Sequence, residues 1–180
     1  WFQRYLVPLP NISTFKYYFG NQKIQKHIPR YGISISNLID QSLIKKLVKM
    51  TSIIDDKFLN WRLRSIGNKR VIAAYNIDQD GLALAVIGKR KGVPLIRILG
   101  ATGSSQVVKN LIDELCNLGK SLGAIICLVT IHKSLSREFV NDSRYKLREG
   151  INTYLKTNRI DFNPDFLMLY GDLGFEEQFA

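Results

Sequence analysis

Apolar and polar positions change their rhythm twice along this chain, and the changes divide it into recognisable elements. Arg70-Val71-Ile72-Ala73-Ala74-Tyr75-Asn76-Ile77 predicts a strand, Leu82 to Gly88 a second and Val93 to Leu99 a third. Asp78-Gln79-Asp80-Gly81 and Lys89-Arg90-Lys91-Gly92 fall between them as turns, the first because Asp-Gly supplies the positive φ of a tight hairpin. An antiparallel three-stranded meander follows from that spacing. After Gly100-Ala101-Thr102-Gly103-Ser104-Ser105 the period becomes helical: Val107, Val108, Leu111, Ile112, Leu115, Leu118 and Leu122 lie on one face, and Gly123 is the stop. Ala124 to Ile131 is apolar almost throughout, which predicts a strand buried on both faces, next to the third meander strand in the middle of one sheet. A short helix near Ser134 to Val140 and two strands, near Tyr145 to Arg148 and Thr153 to Lys156, complete the series.

Upstream of the meander, Ser36 is an N-cap for a helix carrying Leu38, Ile39, Leu43, Leu47 and Val48 on one face. Asp55-Asp56 opens a second, shorter helix with Phe58, Leu59, Trp61 and Leu63, which Gly67-Asn68 ends. Residues 1–35 are the least regular, punctuated by Pro8, Pro10, Gly20, Pro29 and Gly32 and loaded with aromatic side chains. They read as a connecting arm, 36–175 as a single domain and 176–180 as a tail.

Composition narrows the function classes. With 180 residues, 46% hydrophobic and 23% charged, the chain has the make-up of one globular domain rather than a disordered segment. Its longest apolar runs, such as Gly123 to Ile131, are about half a membrane span, so none is predicted. The start, Trp1-Phe2-Gln3-Arg4-Tyr5, carries neither a secretion signal nor an initiator Met, and the expectation is a chain that begins inside a longer protein. Cys116 and Cys127 read as buried thiols of a cytoplasmic protein, and no Cys/His spacing suits a metal. The net charge of +11 favours a polyanionic partner. Its tightest knots, Lys89-Arg90-Lys91 and Lys45-Lys46, are not interleaved with aromatics, so a solvated basic face is expected and nucleic acid is not.

Two helices, a meander, a glycine-rich turn, a long helix, a buried strand, a short helix and a final hairpin: this order resembles the GNAT superfamily of acyl-CoA-dependent N-acyltransferases. Phe58-Leu59-Asn60-Trp61-Arg62 looks like the FLxWR stretch of GNAT-like proteins from bacterial polysaccharide and cell-wall operons, and Tyr154-Leu155-Lys156-Thr157 with Leu169-Tyr170-Gly171-Asp172 looks like their closing stretch. The resemblance covers about residues 36–175. It implies an α/β domain with a mixed, mostly antiparallel sheet flanked by helices. It also implies the second of two tandem lobes, with an N-terminal lobe as partner.

The resemblance further implies acetyl-CoA or another acyl-CoA as co-substrate and a small-molecule amine as acceptor. In the family the pyrophosphate loop reads Gln/Arg-x-x-Gly-x-Gly/Ala, and Arg97-Ile98-Leu99-Gly100-Ala101-Thr102 matches all but the last place. Leu99, Gly100, Ala101, Thr102, Gly103, Ser104 and Ser105 are therefore the candidate cofactor-binding residues, at a helix start whose free N–H groups suit a phosphate. The same glycines would equally serve to turn the chain, with Ser104 or Ser105 as N-cap. The family's acid, a Tyr in the short helix, is here Phe139, which has no proton to give. Tyr145 is the candidate substitute, and His132, just after the buried strand, the candidate base. Four readings stay open: an N-acyltransferase lobe, a silent GNAT-like lobe that binds or scaffolds, a nucleic-acid-binding module supported only by charge, and an aminoacyl-tRNA-dependent transferase lobe of the Fem type, for which tRNA is the implied partner.

Overall fold

Both changes of rhythm appear in the fold. The computed structural model describes residues 5–8, 12–20, 26–30, 32–36, 70–76, 81–90, 92–147 and 154–157. In chain order the strands are β1 (Tyr5–Pro8), β2 (Ile12–Tyr18), β3 (Ile33–Ser36), β4 (Arg70–Asn76), β5 (Leu82–Arg90), β6 (Val93–Thr102), β7 (Ile126–His132), β8 (Tyr145–Leu147) and β9 (Tyr154–Thr157). Helix α1 (Ser105–Ser121) joins β6 to β7, and a 3₁₀ turn (Lys133–Leu135) leads from β7 into the short helix α2 (Arg137–Val140). Seven strands form one sheet in the order β3-β4-β5-β6-β7-β2-β8. Every neighbouring pair is antiparallel except β6 and β7, which α1 connects in parallel.

Strand alternation sends side chains to two faces, and both are buried. On the α1 face Ile72, Ala74, Ala83, Ala85, Ile96, Ile98, Cys127, Val129 and Phe15 pack against Val108, Leu111, Ile112 and Leu115 of the helix. The alanines of β4 and β5 leave room for a helix to settle close. On the other face Leu82, Leu84, Val86, Leu95, Leu99 and Leu128 are buried as well. Each such side chain contributes about 1.5–3 kcal/mol over its exposed state. Gly123 stops α1 with φ +87°, and Leu122 closes the last turn through its N–H to Leu118 and Gly119 carbonyls.

The meander, the long helix and the central parallel strand follow the sequence reading, and both cysteines are free and buried. Three features differ. The third meander strand continues beyond Leu99 to Thr102. The stretch read as an irregular arm supplies β1, β2 and β3, and β2 lies inside the sheet between β7 and β8. Its period is visible in Phe15, Tyr17 and Phe19, which all face the core around α1, but exposed Tyr18 turns that alternation into an unbroken aromatic run. Finally, β8 and β9 do not form a hairpin: β8 pairs with β2, and β9 with β1, because β2 takes the neighbouring position. Ser36, expected as a helix N-cap, is the last residue of β3, while the two helices expected between residues 37 and 67, the Phe58–Arg62 stretch and the closing Leu169–Asp172 stretch lie outside the described residues. No helix among the described residues is long and apolar enough to cross a membrane.

Candidate functional site

The parallel pair β6–β7 holds together for only part of its length. Its register runs from Leu95 beside Ile126 to Ile98 beside Val129 and stops there. One residue later β6 carries an irregularity against β5, where Ala85 pairs with Ile98 but Leu84 with Gly100, leaving Leu99 as the extra residue of a bulge. From that bulge β6 continues with β5 to Thr102, opposite Leu82, while β7 continues with β2 until His132 lies opposite Ile12. Two neighbours thus part in mid-sheet. The inner edge of β6 from Leu99 to Thr102 lines a wedge in which backbone N–H and C=O groups face no strand among the described residues. Such groups require partners, and an extended ligand with amides of its own would supply them.

The N-terminus of α1 opens at the same end of the sheet. Gly103 makes the turn with φ +127°, a conformation that favours glycine. Ser104 is the N-cap: its Oγ accepts from the Val107 N–H at 3.4 Å, and its carbonyl accepts from the Val108 N–H at 2.9 Å. The first helical turn carries no acidic residue. The amides of Ser105 and Gln106 precede the first intrahelical bonds, which with the helix dipole makes this end attractive to an anion. Ser105 also donates from Oγ to the Leu135 carbonyl at 3.5 Å, tying the helix start to the turn after β7.

Helix start and β5 are closely fitted here. A Cβ on Gly81, the residue before β5, would lie 2.3 Å from Val107 Cγ1. Half of the stretch expected to be a loop is strand: Gly100, Ala101 and Thr102 belong to β6, Gly103 and Ser104 turn, and Ser105 opens α1. Leu99 to Ser105 border the wedge on one side, and the backbone of His132, last residue of β7, borders it on the other.

Tyr145 is placed elsewhere, in β8, two strands beyond β7. It is 5% exposed, and its hydroxyl donates to Asp113 Oδ1 at 2.6 Å and lies 3.5 Å from Cys116 Sγ. Burial, reinforced by Cys116 and Asp113, pushes the phenol far above its ordinary range. Its proton is directed to Asp113. Phe139 of α2 is fully buried too, with its ring edge-on to Tyr145 and tilted against Phe15.

Around that hydroxyl lies a charge cluster that hydrophobic periodicity does not reveal. Lys109, 6% exposed on α1, pairs through Nζ with Asp113 at 2.6 Å and Asp142 at 2.9 Å. Arg144 reaches Asp113 at 3.0 Å and chelates Asp142. Asp142 is held well below the usual carboxylate range, first by the Arg144 hydrogen bond and then by Lys109. Further along α1, Glu114 is 1% exposed and lies 2.8 Å from Arg30 Nε and 3.2 Å from His27 Nε2. His27 therefore has a partner that its own sequence neighbourhood does not disclose. The available signal was the set Lys109, Asp113 and Glu114 inside an otherwise apolar-faced helix, two of them at i,i+4. Among the described residues no cluster of His, Cys, Asp and Glu is arranged to hold a metal.

No protein-family model matches the chain, and no curated protein sequence is significantly similar to it. Solved structures do match. A GCN5-related N-acetyltransferase from Anabaena variabilis superposes with a TM-score of 0.51 over 82% of this chain at 7% identity. Eis1 from Mycobacterium abscessus superposes with a TM-score of 0.54 over 84% at 8% identity. The chain spans about two fifths of each of them, 40% and 42%. The mixed, mostly antiparallel sheet with its flanking helices is thus a GNAT-like fold, the fold of N-acetyltransferases.

Proposed function

We propose that this chain is an acyl-CoA-binding lobe that transfers the acyl group to an amine of a small molecule, sugar or amino acid. The parting of β6 from β7 at the Leu99 bulge, next to the N-terminus of α1, carries this reading. The two features present a wedge of strand edge for an extended amide-containing chain and a cluster of first-turn amides for a pyrophosphate. Pantetheine joined to a pyrophosphate has that order of groups. In this arrangement the amides of Ser105 and Gln106 hold the phosphates, helped by the positive end of α1. The inner edge of β6 between Leu99 and Thr102 hydrogen-bonds the pantetheine amides and aligns the thioester with the end of β7. Bound acyl-CoA supplies the activated acyl group; His132, the residue at that strand end, takes the proton of the attacking amine. The setting is the cytoplasm, and a preceding GNAT-like lobe completes the enzyme.

A second reading, a lobe that binds acyl-CoA without turning it over, is favoured by one observation. Phe139 stands where the family places its acid, and the phenol of Tyr145 is committed to Asp113. Titration calorimetry with CoA tests the binding that both readings share. We expect heat at millimolar CoA or below, a rise in melting temperature by linkage, and loss of both in Gly103→Glu, which puts bulk and negative charge at the phosphates. No heat sinks both readings. With binding established, release of free thiol from acetyl-CoA in the presence of glucosamine separates transfer from silent binding.

A further inference from the structure

Six polar or charged side chains are buried among the described residues: Arg97, Lys109, Asp113, Glu114, Thr130 and Ser136. Five of them are engaged. Lys109 and Asp113 pair with each other, Glu114 faces Arg30 and His27, Ser136 donates from Oγ to the Lys133 carbonyl at 2.6 Å, and Arg97 has an interaction of its own. Thr130 of β7 is the exception: it is 5% exposed, and no hydrogen bond within the described residues occupies its hydroxyl. Thr14 lies opposite it on β2, yet the two hydroxyls are not joined. A buried hydroxyl without a partner costs stability, and every other residue from Ile126 to Ile131 is apolar. Valine has the shape of threonine without that cost, so the hydroxyl points to a task outside the packing of the strand.

Strand geometry puts this hydroxyl where β6 and β7 part. Ile98 beside Val129 is the last pair of their register, so Thr130 is the first residue of β7 beyond it, across from the Leu99 bulge of β6. Cys127, Val129 and Ile131 face the core under α1. Alternation turns Thr130 to the opposite face, which it shares with buried Leu99 and Leu128. In the acyl-CoA reading the phosphates lie at the start of α1, just after the C-terminal end of β6, and the pantetheine runs back along β6 from Thr102 to Leu99. Its far end, the thioester, arrives at the apex of the wedge, beside Thr130.

We infer that the Thr130 hydroxyl donates to the thioester carbonyl of bound acyl-CoA and so holds the acyl group in one orientation at the apex. The inference rests on the acyl-CoA reading above and adds to it a contact with the acyl group itself, separate from the phosphate contacts of α1 and from His132. A hydroxyl offers one donor, which suits a single carbonyl oxygen. That oxygen gains charge as an amine attacks, and the hydrogen bond strengthens with it. Leu99 and Leu128 on the same face are apolar and buried, so water competes little for the bond. The contact selects thioesters, since CoA with a free thiol brings no carbonyl to this position.

The test is calorimetry of the full chain with CoA and with acetyl-CoA, read as the ratio of the two dissociation constants, which cancels a general loss of fold or of phosphate contacts. Thr130→Val removes the hydroxyl at constant shape, and Thr130→Ser keeps it. A neutral hydrogen bond of ordinary strength corresponds to roughly three- to tenfold in affinity. We expect Thr130→Val to shift the ratio against acetyl-CoA by that factor and Thr130→Ser to hold the ratio of the parent chain. A ratio unchanged in Thr130→Val, or shifted equally in Thr130→Ser, overturns the inference alone, because CoA still binds. No heat with either ligand in the parent chain overturns the acyl-CoA reading and this inference with it. The parent chain supplies a second measurement if Thr130→Val fails to fold: the infrared band of acetyl-CoA isotope-labelled at the acyl carbonyl. Bound to the chain, that band should lie at or below its frequency in water, as a hydrogen-bonded carbonyl does. A band at the higher frequency of a thioester in hydrocarbon solvent overturns the inference.

Discussion

Tyr145 shows how one hydroxyl can be read in opposite ways. Its place after the short helix makes it a candidate acid by sequence, whereas its burial and its hydrogen bond to Asp113 give it a structural task. Tyr145→Phe removes the donor to Asp113 and leaves a buried acceptor short of a partner, which costs about 1–3 kcal/mol. The variant should melt at lower temperature in calorimetry while its affinity for CoA stays unchanged; a collapse of affinity at unchanged melting temperature would return Tyr145 to the site. Asp142 gives a pH prediction whose sign follows from its environment. Arg144 and Lys109 lower its pKa in the folded chain, below about 3.9, the value of a free Asp. The stabilisation is present above that value and lost as the pH falls through the folded-state pKa. Asp142→Asn should therefore lower the melting temperature at pH 7 and flatten the acid limb of its pH profile below about pH 4. An acid limb parallel to that of the parent chain would show that Asp142 contributes no such linkage.

At the scale of elements, the wedge depends on where the first turn of α1 is held. Gly81 allows that turn to approach β5, and a methyl there would meet Val107 Cγ1 at 2.3 Å. Gly81→Ala should destabilise by about 1–3 kcal/mol, as overpacking does, and should weaken CoA binding beyond what the lost stability explains; unchanged CoA affinity would separate the helix start from the site. How legible these elements were follows from what each depends on. The meander, α1 and β7 depend on local periodicity and turn chemistry, and the alternation of Ile72, Ala74, Ala83, Ala85, Ile96 and Ile98 displays them openly. The β2 strand depends on partners more than a hundred residues away, Cys127 and Tyr145 among them, so its local pattern of adjacent aromatics was ambiguous. The bulge at Leu99 arises from a mismatch between two neighbours of β6 and has no local mark beyond Gly100. The buried Lys109–Asp113–Asp142–Arg144 cluster depends on the turn between α2 and β8 coming to rest over α1, which no single-helix pattern contains.

For the whole molecule, the surplus of positive charge is the property most open to misreading. A net charge of +11 attracts any polyanion at low salt, so binding to nucleic acid in dilute buffer would say little. Lys109, Arg144 and Arg30 pair with Asp113, Asp142 and Glu114 inside the fold, so the surplus is carried by the other basic residues. The exposed residues Lys89 and Lys133 lie at opposite ends of the sheet, in the last turn-side residues of β5 and just after β7, so they do not make one track. Lys16 and Tyr18 of β2 do stand together, but one cation and one ring are less than the stacked platform that single-stranded nucleic acids use. We therefore expect weak, unspecific association with RNA and DNA at about 0.15 M salt, in the range of roughly 10⁻⁴–10⁻⁶ M typical of backbone contacts alone. Filter binding across a salt series measures it. Submicromolar affinity at that salt, lost on Lys89→Glu with Arg90→Glu, would identify the hairpin between β5 and β6 as a nucleic-acid site. The small-molecule reading requires the opposite: charge reversal at that hairpin, at the far end of β6 from the wedge, should leave the heat of CoA binding unchanged.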